Sequence, residues 1–199
     1  MPAIVPIVEG IAEVESIPVL FRRILAHQNV HDVSIARPFR VQRNRVVRPQ
    51  ELERAVTLAI SDRADAAGVI VVLDSDDDCP AKLGPALLAR ARAATDLPVV
   101  IIMAQKELEC WFLGAKESLR GERGIREDSV APENPESIRG AKERLTRNMP
   151  PGRRYLEVDD QPAFADAMNV EQAEARCPSF AKLMRALNEV ARAIRANQR

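Results

Sequence analysis

The stretch Val69-Ile70-Val71-Val72-Leu73 is apolar at every position, and it limits the possible folds more than any other part of the chain. A strand with one wet face alternates apolar and polar residues. A strand that is apolar throughout has both faces covered, as in a parallel sheet flanked by helices. Two further runs have the same character: Ala3 to Val8, and the Val-Val-Ile-Ile-Met that follows Pro98. Between residues 73 and 98, Pro80 opens an alanine-leucine pattern over 81–94, so strand, helix and strand follow one another with short joints. That order is a parallel crossover unit. The expected fold class is α/β: a mainly parallel, Rossmann-like sheet with helices on both faces.

The first run ends in Glu9-Gly10, and the 69–73 run ends in Asp74-Ser75-Asp76-Asp77-Asp78. In an open α/β sheet, ligands bind outside the carboxyl ends of the strands. If the two strands are parallel neighbours, Glu9 meets Asp74 and Asp76 at one end of the sheet. Carboxylates crowded in this way repel one another, and protonation, basic partners or a divalent cation relieves the repulsion. Mg²⁺ prefers oxygen ligands and takes one or two carboxylates while keeping waters for a phosphate. A solvated acidic turn is the other reading of 74–78, and Gly10 can also serve only a tight turn.

Elsewhere the chain alternates helix signals with breaks. Glu13 and Glu15 precede Ile17, Leu20, Phe21, Ile24 and Leu25 at helical spacing, which predicts a first helix of about 14 residues. Short apolar pairs among arginines over 32–47 predict a second strand or a hairpin, and Pro49 opens a helix through Leu52, Val56, Leu58 and Ile60. Glu107 to Leu119 reads as helix and carries Trp111, expected in the core. From 120 to 160, glycines, arginines and prolines predict loops around one short helix near 136–147, in a mobile or peripheral segment. Phe180, Leu183, Met184, Leu187, Val190 and Ile194 form an amphipathic helix, with Ser179 at a cap position after Pro178. The expected organisation is a core over 1–119 and a loop-rich, helical extension over 120–199 that packs on it.

Several residues are secondary candidates. Asp78 could add a metal ligand, whereas Asp77 is expected to point away. Glu13 lies one helical turn beyond Glu9. Glu109 could complete a second metal site and Lys106 could touch phosphate, although the same residues also read as an acid-rich helix start. Arg40, Arg43 and Arg45 sit in an acid-free basic stretch from Arg37 to Arg48, which reads either as a phosphate grip or as a solvated face.

Other chemistries lack their signatures. His27 and His31 belong to no H-E-x-x-H, no serine lies in G-x-S-x-G, and neither the dinucleotide nor the P-loop glycine pattern is present. The three cysteines are scattered and odd in number, which suggests neither a disulfide framework nor a zinc site. With 29 basic and 29 acidic residues the formal net charge is +0, so any site for a polyanion must be local. No run approaches the roughly 20 apolar residues of a membrane span. The first residues lack a basic segment and cleavage site, so a cytoplasmic protein without membrane association is expected.

Val8-Glu9-Gly10 together with Asp74-Ser75-Asp76 resembles the Toprim fold of topoisomerases, primases, small ribonuclease-maturation enzymes and the nucleases of the overcoming-lysogenization-defect group. More closely, the chain resembles the bacterial DUF4276 family. That likeness rests on V-E-G-x-x-E at 8–13, the L-D-S-D-D-D block, Glu107-Leu108-Glu109-Cys110-Trp111-Phe112-Leu113, and the tail from Asp160-Gln161-Pro162 to Cys177-Pro178-Ser179-Phe180. The Toprim resemblance implies phosphodiester chemistry on nucleic acid with Mg²⁺ or Mn²⁺. It makes Asp74 and Asp76 metal ligands, and Glu9 a third carboxylate and proton-transfer group. The family resemblance also implies an association with ATPase-containing bacterial defence systems, and so an ATPase partner. The alternative is a non-catalytic Toprim-like module that regulates or binds a partner.

Overall fold

A computed structural model describes residues 1–197 of the chain. Five strands form one sheet: β1 (Ala3–Val8), β2 (Ser34–Ile35), β3 (Phe39–Arg40), β4 (Ala66–Asp74) and β5 (Val99–Ala104). The order is β2-β1-β4-β5, with β3 also on β1, and every pairing is parallel. Among the described residues nine α-helices accompany them: α1 (Glu13–His27), α2 (Arg43–Val46), α3 (Glu51–Ser61), α4 (Pro80–Arg92), α5 (Glu109–Gly114), α6 (Ala141–Thr146), α7 (Glu157–Ala167), α8 (Val170–Arg176) and α9 (Pro178–Asn197). None of them is long and apolar enough to cross a membrane.

The all-apolar strands divide their side chains between two cores, because successive residues of a strand point to opposite faces. Val5, Ile7, Val69, Val71, Leu73, Val99, Ile101 and Met103 pack against Leu52 and Val56 of α3 and Leu87 and Ala91 of α4. Ile4, Val8, Ile70, Val72 and Ile102 face the other way, towards Ile17, Leu20 and Phe21 of α1 and Leu183, Leu187 and Val190 of α9. The expected α/β fold with helices on both faces is therefore present.

Four details differ from the sequence expectation. Of the strand or hairpin expected over 32–47 the strand forms, but broken in two: β2 and β3 lie on the same side of β1, with Ala3 opposite Ser34 and Ile7 opposite Phe39, as one interrupted edge strand. The helix expected over 107–119 is only α5 followed by a 3-10 turn at Lys116–Leu119. Gly114 closes α5 against the neighbouring segment, where an added Cβ would come within 2.5 Å of the Cys177 sulfur. The short helix near 136–147 is split by Gly140, whose φ of 68° is left-handed, into a 3-10 turn at Pro135–Ser137 and α6. The 120–160 segment is also not peripheral, since Ile125, Leu145, Met149 and Tyr155 are buried in the same core as α1 and α9.

Trp111 is fully buried, edge-on to Phe180 with ring centroids 5.4 Å apart. Ser179 lies inside the first turn of α9 and accepts the Trp111 indole N–H at 2.8 Å. The carboxylate of Glu136 takes the Ser179 backbone N–H at 3.0 Å, so it fills the capping role expected of Ser179.

Candidate metal centre

The chain runs from β1 to the β2/β3 edge and then returns across β1 to β4, so the sheet order reverses between β1 and β4. At such a switch point the loops diverge and leave a crevice at the carboxyl ends of the strands. Glu9 leaves the end of β1 and Asp74 closes β4. They meet directly: the Asp74 backbone N–H donates to Glu9 Oε1 at 3.2 Å. Glu13, at the start of α1, folds back over the same spot and accepts the N–H groups of Glu9 and Gly10 at 3.1 and 3.2 Å. Gly10 leaves room for this, since a Cβ would stand 3.0 Å from Glu13 Oε1 and press the carboxylate aside.

One oxygen from each of Glu9, Glu13 and Asp74 lies within 4.8 Å of the others. Asp74 Oδ1 accepts the Leu108 N–H at 2.7 Å, and Glu9 Oε2 is buried without a hydrogen-bond partner. An all-oxygen donor set with one idle buried oxygen suits a hard divalent cation such as Mg²⁺ or Mn²⁺. The electrostatics agree. Burial, and next the Glu9 charge, push Glu13 up to about 7, and burial pushes Glu9 up to about 7 against the Asp74 N–H and Arg43. Burial first, then Glu109, Glu13 and Glu9, raise Asp74 well above the usual carboxylate range.

Two cations line the same cavity of about 430 Å³, Arg43 and Lys142. The Arg43 Nε donates to the Asp74 carbonyl at 3.1 Å and stands 3.9 Å from Glu9 Oε2, while its terminal nitrogen bonds Asp78. Asp78 is thus the partner of Arg43 at the rim. Lys142 comes from α6 and pairs with Glu157 at 2.9 Å. Burial disfavours its charge, but Glu109, Glu157 and Asp74 outweigh that and hold the ammonium protonated.

The remaining candidates lie around this centre. Asp76 is not among the three converging acids. It has a left-handed φ of 49° and lines a separate cavity of about 200 Å³ with Asp77, Lys106, Glu107 and Arg139. Lys106 is also left-handed, with φ 64°, and the two turns are tied together: Asp76 N–H donates to the Lys106 carbonyl at 3.0 Å, and Lys106 N–H donates to Ser75 Oγ at 2.8 Å. Lys106 Nζ reaches the Asp76 carbonyl at 3.1 Å. Exposed Asp77 pairs with Arg139 at 2.5 Å.

Glu109 is buried behind the centre, where it accepts Tyr155 O–H at 3.0 Å and Gln161 N–H at 3.1 Å. Arg40 donates to the Glu9 carbonyl at 3.2 Å, whereas Arg45 turns away to Glu51 at 2.6 Å. Lys142 and Glu157 were not anticipated. The signal for Lys142 is a basic run from Arg139 to Arg154 in which Glu143 is the single acid, scattered among glycines and prolines; Glu157 lies beyond that run.

The fold and the site define an α/β protein with a possible acidic metal centre at the switch point of its parallel sheet. The chain belongs to the DUF4276 family, a domain of unknown function whose family model matches residues 8–188. No curated protein and no solved structure matches the chain.

Proposed function

We propose that the protein hydrolyses phosphodiester bonds of nucleic acid with the help of Mg²⁺ or Mn²⁺. The observation that carries this reading is the convergence of Glu9, Glu13 and Asp74 beside Arg43 and Lys142 in one cavity. Acids that suit a hard cation, next to cations that suit a phosphate, form the pairing that phosphoryl chemistry needs. The resemblance of Val8-Glu9-Gly10 and Asp74-Ser75-Asp76 to Toprim enzymes points the same way.

Glu9, Glu13 and Asp74 would hold the ion, which when bound neutralises phosphate charge and acidifies water. Arg43 and Lys142 orient the phosphate, their guanidinium and ammonium groups already facing the carboxylates. Glu9 would divide its two oxygens, one holding the ion and the other taking a proton from an attacking water; its Oε2 is free of hydrogen bonds. Asp76 adds negative charge that acts on Glu9 from the neighbouring cavity.

The test is cleavage of single-stranded DNA, duplex DNA and RNA by purified protein in Mg²⁺ or Mn²⁺. Asp74→Asn should lower the rate by more than about a hundredfold, the upper end of what loss of a group outside the ligand set costs. An unchanged rate in the variant refutes the assignment. A non-catalytic module has one observation in its favour: Arg43 contacts both Glu9 and Asp78 and so partly neutralises the acids by itself. That reading predicts no cleavage of any substrate and no stabilisation by Mg²⁺.

A further inference from the structure

A cavity of about 830 Å³ adjoins the metal centre instead of containing it. Lys142 and Glu157 line both spaces, so their ion pair is the sill between the two. Beyond the sill the cavity is walled by Thr146 and Arg147 from the end of α6, by Arg154 and Leu156 from the segment leading into α7, and by Val158 from its first turn. Arg147 and Arg154 are exposed, and no carboxylate among the described residues pairs with either. Leu156 and Val158 are large apolar side chains left 38% and 61% exposed in the same wall.

We propose that this cavity holds an unpaired stretch of the nucleic-acid strand whose neighbouring phosphate reaches the carboxylates. The inference rests on the function proposed above. A duplex would offer the cavity only its sugar-phosphate surface and leave Leu156 and Val158 facing water. A single strand offers phosphates to Arg147 and Arg154 and the apolar face of a base to Leu156 and Val158, aliphatic side chains standing where single-strand binders use aromatic ones. The volume is within the roughly 300–1,000 Å³ range of ligand pockets. Glu143 and Asp159 line the same cavity, so the surface is no broad positive field; two discrete phosphate contacts, at Arg147 and Arg154, are what it provides.

Binding measured without metal separates this proposal from the catalytic one. Fluorescence anisotropy of a labelled single-stranded oligonucleotide, and of its duplex, is followed in EDTA for the wild type. It is repeated for the double variant Arg147→Ala/Arg154→Ala and for a control double variant, Arg22→Ala/Arg192→Ala. The control removes the same charge from exposed positions outside the cavity.

The wild type should prefer the single strand. The cavity variant should lose about tenfold or more at low salt, with the salt slope shallower by roughly 1.4, as two fewer phosphate contacts require. The control should lose little. Leu156→Ser/Val158→Ser should erase the preference for single strand over duplex while keeping the salt slope. Equal losses in cavity and control variants, a preference for duplex, or no binding by the wild type would each overturn the proposal. Failure of Mg²⁺-dependent cleavage alongside intact cavity-dependent binding would overturn only the catalytic reading.

Discussion

Glu9 and Glu13 both titrate near neutrality because burial penalises their charge. Their raised values fix the sign of a pH effect. Between the ordinary 4.5 and about 7, the folded metal-free protein keeps protons that the unfolded chain has released. Its stability therefore falls as pH rises through that window, and the full penalty remains above it. For one isolated group the limit is on the order of 3 kcal/mol, and two groups sharing a site cannot simply be summed. Glu13→Gln keeps an oxygen for the Glu9 and Gly10 N–H groups but removes the charge. Its melting temperature relative to the wild type should rise steadily between about pH 5 and pH 8 without metal, and Mg²⁺ should reverse the order at the upper end. A gap that is flat with pH would show that Glu13 is not held near neutrality by its surroundings. The sequence made Glu9 and Asp74 legible because each follows an apolar strand directly. Glu13 read as an accessory because it sits on a helix, and only the fold-back over Gly10 brings it into the cluster.

At the scale of elements, α6 owes its position to a carboxylate from another part of the chain. Glu107 Oε1 accepts the N–H groups of Gly140 and Ala141 at 2.9 and 3.2 Å, which pins the start of α6 to the turn after β5 and sets Lys142 over the acids. Glu107→Ala should cost about 1 kcal/mol in urea unfolding, the usual worth of an N-terminal cap, and Glu107→Gln should recover most of it. No difference between the two variants would mean that α6 is held by Leu145 and its core contacts alone. The strands were the most legible elements, since Ala3 to Val8, Val69 to Leu73 and the run after Pro98 are continuous and apolar. Helix α7 was not legible: Glu157, Asp159, Asp160 and Pro162 give it almost no apolar periodicity. Its place is set instead by Asp160, which is buried and accepts the Leu156 N–H at 2.8 Å and Arg153 at 2.7 Å. Contacts of that kind depend on tertiary partners, and sequence pattern does not record them.

At the scale of the whole molecule, the two faces of the sheet are not equivalent. The face covered by α3 and α4 is built from residues between 3 and 103, whereas the other takes α1 early and Phe164, Phe180, Leu183, Leu187 and Val190 from beyond 160. A fragment of residues 1–119 would leave Ile4, Ile70, Val72 and Ile102 beneath an incomplete cover. It should unfold without a cooperative transition and bind hydrophobic dyes, and a sharp calorimetric peak from it would show that the cover is dispensable. The split also orders events during synthesis. As the chain leaves the ribosome, the α3/α4 side can close once β5 has emerged. The α1 side must wait for α9, so a half-finished sheet with one greasy face only partly covered, by α1, is the species that chaperones would meet.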